Sequence, residues 1–469
     1  MKRKMLSGKE LLKIGYPEGK AIGLAINTVL KHFRRSEKDE IMTMLRDVIA
    51  DPKKFTNDSI WSTVALALVP TEKKSMVHQL NKSRMEYTIF GGAGIEEGAR
   101  NQMEIAMKLP VTRGGALMPD AHQGYGLPIG GVLATSNAVI PYGVGVDIGC
   151  RMSLTAYPLD EQFLERNRSN LKKILMDNTW FGNEKVLRPK DHDVLNRSEF
   201  NEITVLKKLQ GRAAAQIGSS GSGNHFVEFG LIELSGKNDW NLATGNYLAV
   251  LSHSGSRGLG AEVARHYTKL ARSICLLPNE ASNLAWLDLN TEAGQEYWLA
   301  MNLAGDYASA NHHQIHARIG KALGEQPLLT VENHHNFAWK ERLASGEEVI
   351  VHRKGATPAG EGVLGIIPGS MTAPGFVVKG KGNVQSLLSA SHGAGRLMSR
   401  SVAKQSITNK MVRQALEKYK VELIGGGIDE APMAYKDINE VMSYQHELVE
   451  VIGKFFPKIV RMCGDDGEE

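Results

Sequence analysis

The stretch "GGAGIEEGA", residues 91–99, separates two kinds of sequence. Before it, Ile22, Ile26, Val29 and Phe33 recur at helical spacing. Ser36-Glu37-Lys38-Asp39 has the form of a capping box opening a second helix through Ile41 and Leu45. After it, glycine-rich turns separate short β-branched runs such as "YLAVLSH" (247–253) and "EEVIVHR" (347–353). Helical patterns intervene over 204–216, 261–273, 295–320 and 408–420, with no fixed repeat period. The expected fold class is therefore α+β. A small N-terminal helical accessory region covers residues 1–85, and one large mixed domain covers residues 86–469.

A net charge of +5 is mildly basic, compatible with a polyanionic partner without demanding one. No apolar run approaches the roughly 18 residues of a membrane span, so no membrane association is expected. The opening "MKRKMLSGKELLKIGY" starts basic but has no apolar segment behind it, unlike a secretory signal. Cys150, Cys275 and Cys463 are too few for a disulfide framework and point to a reducing, cytoplasmic setting. Any cysteine that matters is then a ligand or a nucleophile.

Chemistry collects in the glycine-rich half. In "PYGVGVDIGCRM" (141–152), Asp147 and Cys150 stand three apart; both can reach one metal, or Asp147 can simply cap a turn. "GSSGSGNHFVEF" (218–229) sets His225 between Asn224 and Glu228, and "LSHSGSRGLG" (251–260) sets His253 near Arg257. Gly-Ser turns of this kind expose consecutive N–H groups that can cradle phosphate oxygens, and they can also be plain loops. "ENHHNFAWK" (332–340) offers His334 and His335 beside Asn336; neighbours on a strand face opposite ways, so one of the two is expected at a given metal. "VHRKGATPAGEG" (351–362) supplies Arg353 and Lys354, and "IIPGSM" (366–371) supplies Ser370. In "SASHGAGRLMSR" (389–400), a helix following Gly393 would place His392 at its N-terminus and stack Arg396 and Arg400 along one face. Together these segments describe a dinuclear site for Mn, Zn or Fe with phosphate-binding donors around it: a metalloenzyme acting on phosphate esters or nucleotides.

The ordered motifs resemble the RtcB family of RNA-splicing ligases. The matching strings are "MPDAHQGYGLPIGGVLA" (118–134), "GVGVDIGC" (143–150), "GSGNHFVE" (221–228), "HSGSRGLG" (253–260), "HRKGAT" (352–357), "PGSM" (368–371), "HGAGRLMSR" (392–400) and "DEAPMAYKDI" (429–438). The resemblance implies an RNA ligase that joins a 2′,3′-cyclic phosphate or 3′-phosphate RNA end to a 5′-hydroxyl end, using GTP and two Mn²⁺ ions, in RNA repair or tRNA splicing. It implies that His392 is the catalytic residue and carries GMP. Metal ligands would be Asp147, Cys150, His225, His253 and His335, the last chosen over His334 because the family pattern is a histidine immediately before asparagine. Nucleotide contacts would come from Asn224, Glu228, His335, Asn336, Ser370, Met371, His392, Gly393, Gly395 and Tyr435. Arg257, Arg353, Lys354, Arg396 and Arg400 would hold triphosphate or RNA phosphates. An accessory activator protein is a further partner compatible with the resemblance.

Departures from the family pattern include Ser391 where a cysteine is common and Val146 and Gly149 in place of the usual aromatic and asparagine, and two more bear on the purine. "TAPGF" follows "PGSM", with Gly375 where a hydroxyl is expected, and the chain reads "FFPKIVRMCGDDGEE" where the family closes on lysine and glycine. Two other readings use the same residues: a metal-dependent RNA cyclic phosphoesterase that does not ligate, and a non-catalytic RNA-binding relative.

Overall fold

The computed structural model describes residues 6, 8–17, 20–33, 37–69, 76–182, 192–235 and 238–464. Two compact units result, Met1–Ser75 and Met76–Glu469.

In the first unit the apolar periodicity becomes helices α1 (Gly8–Lys13), α2 (Lys20–His32), α3 (Lys38–Ala50) and α4 (Ser62–Leu68). They close over a core of Leu11, Ala25, Leu45, Trp61 and Val64, with Phe33 stacked on Trp61 at 5.3 Å. Helix α3 follows Glu37; the serine of the expected capping box, Ser36, lies outside the described residues. Residues 76–85, read from sequence with the helical region, fall in the second unit. There Met76–Val77 pairs in parallel with Cys275–Leu276, and the Asn81 and Met85 amides donate to Lys108 and Met107.

The second unit is mixed, as an α+β chain should be. Its strands are β1 (Thr112–Tyr125), β2 (Leu127–Thr135), β3 (Arg151–Ala156), β4 (Phe226–Leu234), β5 (Gly245–Ser254), β6 (Leu329–His334), β7 (Asn336–Arg342), β8 (Glu348–Lys354), β9 (Ala356–Pro358), β10 (Leu364–Ile367), β11 (Gly375–Gly380), β12 (Ser389–Ser391) and β13 (Val449–Met462). Its principal helices are α5 (Thr204–Gln216), α6 (Arg257–Ile274), α7 (Glu292–Leu323), α8 (Arg400–Ser406) and α9 (Asn409–Tyr419). Among the described residues the larger sheet runs β6-β3-β5-β4-β13-β11-β10, with Glu422–Ile424 added parallel to β13. A second sheet runs β7-β8-β2-β1 with Thr88–Ile89 at its edge, and β9 pairs with β12 separately.

Helix α7, capped by the Thr291 hydroxyl at the Gly294 amide, packs against the larger sheet. Its buried residues are apolar, aromatic or glycine except for Asn311, His312 and His316. These three grip the β5 end: the Ser252 hydroxyl lies 2.7 Å from both His312 Nδ1 and His316 Nε2, and Asn311 donates to the Gly255 carbonyl at 2.9 Å. Buried polar groups this well partnered fix a strand end more firmly than apolar packing would. No described helix is long and apolar enough to cross a membrane.

Candidate active site

Antiparallel pairing determines which sequence segments meet. Met152 at the start of β3 faces His253 at the end of β5, and Phe226 at the start of β4 faces the same His253. At the other flank His334, ending β6, faces Arg151. Residues at or just beyond these strand ends therefore share one rim of the sheet: His253 within β5, and Cys150, His225 and His335 next to β3, β4 and β6.

Their donor atoms converge. Cys150 Sγ lies 3.4 Å from His225 Nε2 and 3.1 Å from His253 Nε2. His225 Nε2 lies 3.0 Å from Asp147 Oδ2, and His253 Nε2 lies 3.3 Å from His335 Nε2. Two triads result, Asp147–Cys150–His225 and Cys150–His253–His335, each with its donor atoms within 4.8 Å of one another and sharing the one sulfur. His334, the neighbour, instead packs its ring on Phe337 and Trp339.

Tautomers follow from the outer contacts. His253 Nδ1–H donates to the Asn224 carbonyl at 3.1 Å, leaving a lone pair on Nε2 aimed into the cluster. Burial pushes His253 down to about 3, and burial with the neighbouring rings pushes His335 well below the usual range, so both are neutral bases. Burial would raise Asp147, but the hydrogen bond and charge of His225 outweigh it and hold the carboxyl at about 2. Burial and the adjacent Asp147 push the Cys150 thiol up. The imidazoles, the carboxylate and the thiol all turn donor atoms toward one small volume, and a metal would satisfy all of them. The donor set fits. One soft sulfur with imidazoles and a carboxylate suits divalent transition metals better than magnesium. Gly255 is required beside it, because a Cβ there would stand 2.0 Å from Asp147 Oδ1.

His392 follows β12 and faces this cluster, its ring centroid 5.0 Å from that of His335. No helix begins at Gly393: residues 392–399 are irregular and α8 starts only at Arg400, capped by the Ser399 hydroxyl. The approach of Asp120 supplies the reason. Gly395 needs φ +73°, and a Cβ on it would meet the Asp120 carbonyl oxygen at 2.2 Å, so the backbone is bent against β1 rather than coiled. Asp120 Oδ2 accepts from His392 Nδ1–H at 2.7 Å and from the His392 amide at 3.1 Å. That fixes the Nδ1–H tautomer and leaves the Nε2 lone pair free.

Asp120 is a pocket partner that the motifs did not single out. It lies 272 residues from His392, although "MPDAHQGYG" displays it. His122, two residues on, also lines the cavity, with Nδ1 3.0 Å from the Asp120 carbonyl oxygen.

The cavity over the cluster measures about 360 Å³. Asn224, Glu228, Asn336, Ser370, Met371 and Tyr435 line it, as do Gly393 and Gly395. Glu228 is 3% exposed, and burial pushes its carboxyl well above its usual range, which favours the form that donates as well as accepts. Asn336 Oδ1 accepts from the Gly355 amide, tying the β7 start to the loop after β8.

The five cations divide. Arg396, Arg400 and Lys354 reach the cavity. Arg396 bonds Glu430 Oε2 at 3.2 Å, and Arg400 lies 2.8 Å from Asp429 Oδ2 and 2.7 Å from Glu430 Oε1; Tyr435 also donates to Glu430. The two arginines thus converge on buried carboxylates rather than along a helix. Burial pushes Lys354 down to about 7, and its amino group donates to the carbonyls of Tyr125 and Tyr142.

Arg353 is a correction. Alternation along β8 turns it away from the cavity that Lys354 lines. It is 1% exposed and bonds both Glu341 oxygens at 2.6 and 3.0 Å, Ser389 Oγ at 2.8 Å and the Leu387 carbonyl at 3.0 Å. Every strong donor direction is used inside the fold, leaving it to brace the strand that precedes His392. Arg257 is a second correction: it is buried under the His225 loop, donating to Ser219 Oγ and the Gly182 carbonyl, and is absent from the cavity wall.

An α+β fold with a cavity over two Asp/Cys/His triads that could hold metal ions, and with a histidine beside them, defines a class: a protein with a metalloenzyme-type pocket. The family model described as tRNA-splicing ligase RtcB matches residues 102–204 and 176–462. The RNA-splicing ligase RtcB1 of Escherichia coli is 34% identical over 393 residues, covering 77% of this chain and 93% of that protein. The tRNA-splicing ligase RtcB of Thermococcus kodakarensis is 29% identical over 417 residues, 73% of this chain and 86% of that protein. The chain belongs to the RtcB family.

Proposed function

We propose that this protein is an RNA ligase that joins 2′,3′-cyclic phosphate or 3′-phosphate ends to 5′-hydroxyl ends with GTP, in RNA repair or tRNA splicing, through GMP carried on His392. The single observation behind it is His392 itself: Nδ1 anchored on buried Asp120, ring beside the thiol-imidazole cluster. The ligases named among its relatives support the substrate class.

His392 Nε2 attacks the α-phosphorus of GTP; a P–N bond forms, the bond to the β-phosphate oxygen breaks, and pyrophosphate leaves. Asp120 stabilises the charge that develops on the ring as this happens. An oxygen of the RNA 3′-phosphate then attacks the same phosphorus, the P–N bond breaks, and His392 recovers its lone pair. Finally the 5′-hydroxyl oxygen attacks the activated 3′-phosphorus, losing its proton and expelling GMP. A cyclic end is first opened by water. Cys150, Asp147, His225, His253 and His335 would hold two divalent ions, manganese on the family resemblance, which when bound neutralise phosphate oxygens. Arg396 and Arg400, preset by Asp429 and Glu430, face incoming phosphates; Glu228 and Ser370 offer polar atoms to the base.

The test is incubation with [α-³²P]GTP and Mn²⁺. An acid-labile label on the wild type and none on His392→Ala is the expected result. Label persisting on the variant would overturn the assignment. Opening of cyclic ends without GTP and without joined product would favour the phosphoesterase instead.

A further inference from the structure

Tyr125 ends β1 and is 69% exposed. Its ring lies near-parallel to that of Tyr142, 19° apart with centroids separated by 6.1 Å. Tyr142 carries two cations over its ring: Lys354 Nζ at 5.0 Å and the Arg272 guanidinium at 5.9 Å. Lys354 is also a wall of the reaction cavity, with Gly145 and Val146. The tyrosine stack is therefore continuous with the pocket through a shared lysine. Arg272 belongs to α6, on which Arg265, Lys269 and Arg272 recur at spacings that share one face, and all three are exposed. Arg265 pairs with Glu262, and Arg272 also reaches Asn283.

An aromatic face left in solvent, cations behind it and a basic helix face leading away are the ingredients of single-stranded nucleic-acid binding. Every base offers a π-face, so such a platform needs no sequence preference. We infer that Tyr125, backed by Tyr142, stacks a nucleobase of the single-stranded RNA segment adjoining the reacting end, with Lys269 and Arg272 tracking its phosphates. The inference rests on the reading of the protein as an RNA ligase and assigns that reaction an entry path for one strand.

Direct binding to the full-length protein tests it, read by fluorescence anisotropy with two labelled oligoribonucleotides, one ending in a 5′-hydroxyl and one in a 3′-phosphate. Tyr125→Ala should weaken one of them about tenfold and Tyr125→Phe should leave both nearly unchanged. The strand that responds is the one that crosses the platform. An abasic nucleotide near the end of that strand should weaken wild-type binding about as much, and should cost Tyr125→Ala little more. The proposal is overturned by a Tyr125→Ala protein that binds both strands like wild type, or by abasic losses that add in full to the alanine loss. Should Tyr125→Ala fail to fold, judged by its melting curve, wild-type indifference to the abasic strands overturns it equally. GTP labelling of the wild type reports separately on the ligase reading, so base stacking without label would sink that reading and leave this one standing.

Discussion

Replacing Asp120 should slow the loading of His392 while sparing nucleotide binding. Asp120 is wholly buried, and one of its oxygens, Oδ2, accepts both the His392 ring N–H at 2.7 Å and the amide N–H at 3.1 Å. Hydrogen bonds to a charged group contribute about 1.5–3 kcal/mol each, and the ring bond is the one that strengthens as His392 becomes positive. Asp120→Ala removes it and frees the tautomer, so GMP loading should fall about 10- to 150-fold in kcat. Asp120→Asn can still present a neutral oxygen to both N–H groups; about half of the effect should remain, near tenfold or less. The assay is the initial rate of ³²P transfer from [α-³²P]GTP to the protein across GTP concentrations. The ordering wild type, Asn, Ala with an unchanged KM for GTP is expected. Loading of Asp120→Ala at the wild-type rate, or a loss confined to KM, would refute the claim that Asp120 orients and charges the nucleophile.

Two further outcomes concern the framework. Arg353→Ala should cost about 3–5 kcal/mol of stability, since it strands a partly buried Glu341 carboxylate, while leaving KM for GTP unchanged; urea denaturation midpoints and labelling kinetics read the two effects separately. Weakened GTP binding at full stability would restore the phosphate-binding role that its sequence neighbourhood suggests. The second is pH dependence at His352, whose Nδ1–H donates to the Leu133 carbonyl and whose Nε2 accepts from the Ile140 amide. Burial pushes this ring down to about 4, so the unfolded chain takes up its proton first as pH falls. Its contribution should be complete above pH 6.5 and lost progressively toward pH 4, about 3 kcal/mol in all. Unfolding free energies of wild type and His352→Gln across that window should show the slope flattening in the variant; equal slopes would exclude it.

Local signals carried far along this chain. The helices of 204–216 and 409–419 lie where apolar periodicity and turn residues placed them, because those preferences act within a few residues. The motif glycines marked the loops that hold Cys150, His225 and His392 and the turn that follows His253, because close backbone approach leaves a local trace. Arg353 shows where such reading fails. A basic residue between His352 and Lys354 invites a phosphate role, yet strand alternation and a glutamate twelve residues away decide its direction. The irregular run after His392 is of the same kind: nothing in "GAGRLMS" forbids a helix as firmly as the Asp120 backbone pressed against Gly395.

The amino-acid order alone determined the mixed fold class, the helical N-terminal segment, the family and the residue types from which a metal cluster can be made. Only the tertiary structure decided that Cys150 joins two triads, that Asp120 is the partner of His392, that Arg353 and Arg257 brace the fold, and that Tyr125 stays in solvent beside the pocket. The division has one physical cause. Helix periodicity and turn chemistry act between near neighbours, whereas donor atoms separated by 75 to 272 residues meet only after strand order and register have been chosen by the packing of the whole unit.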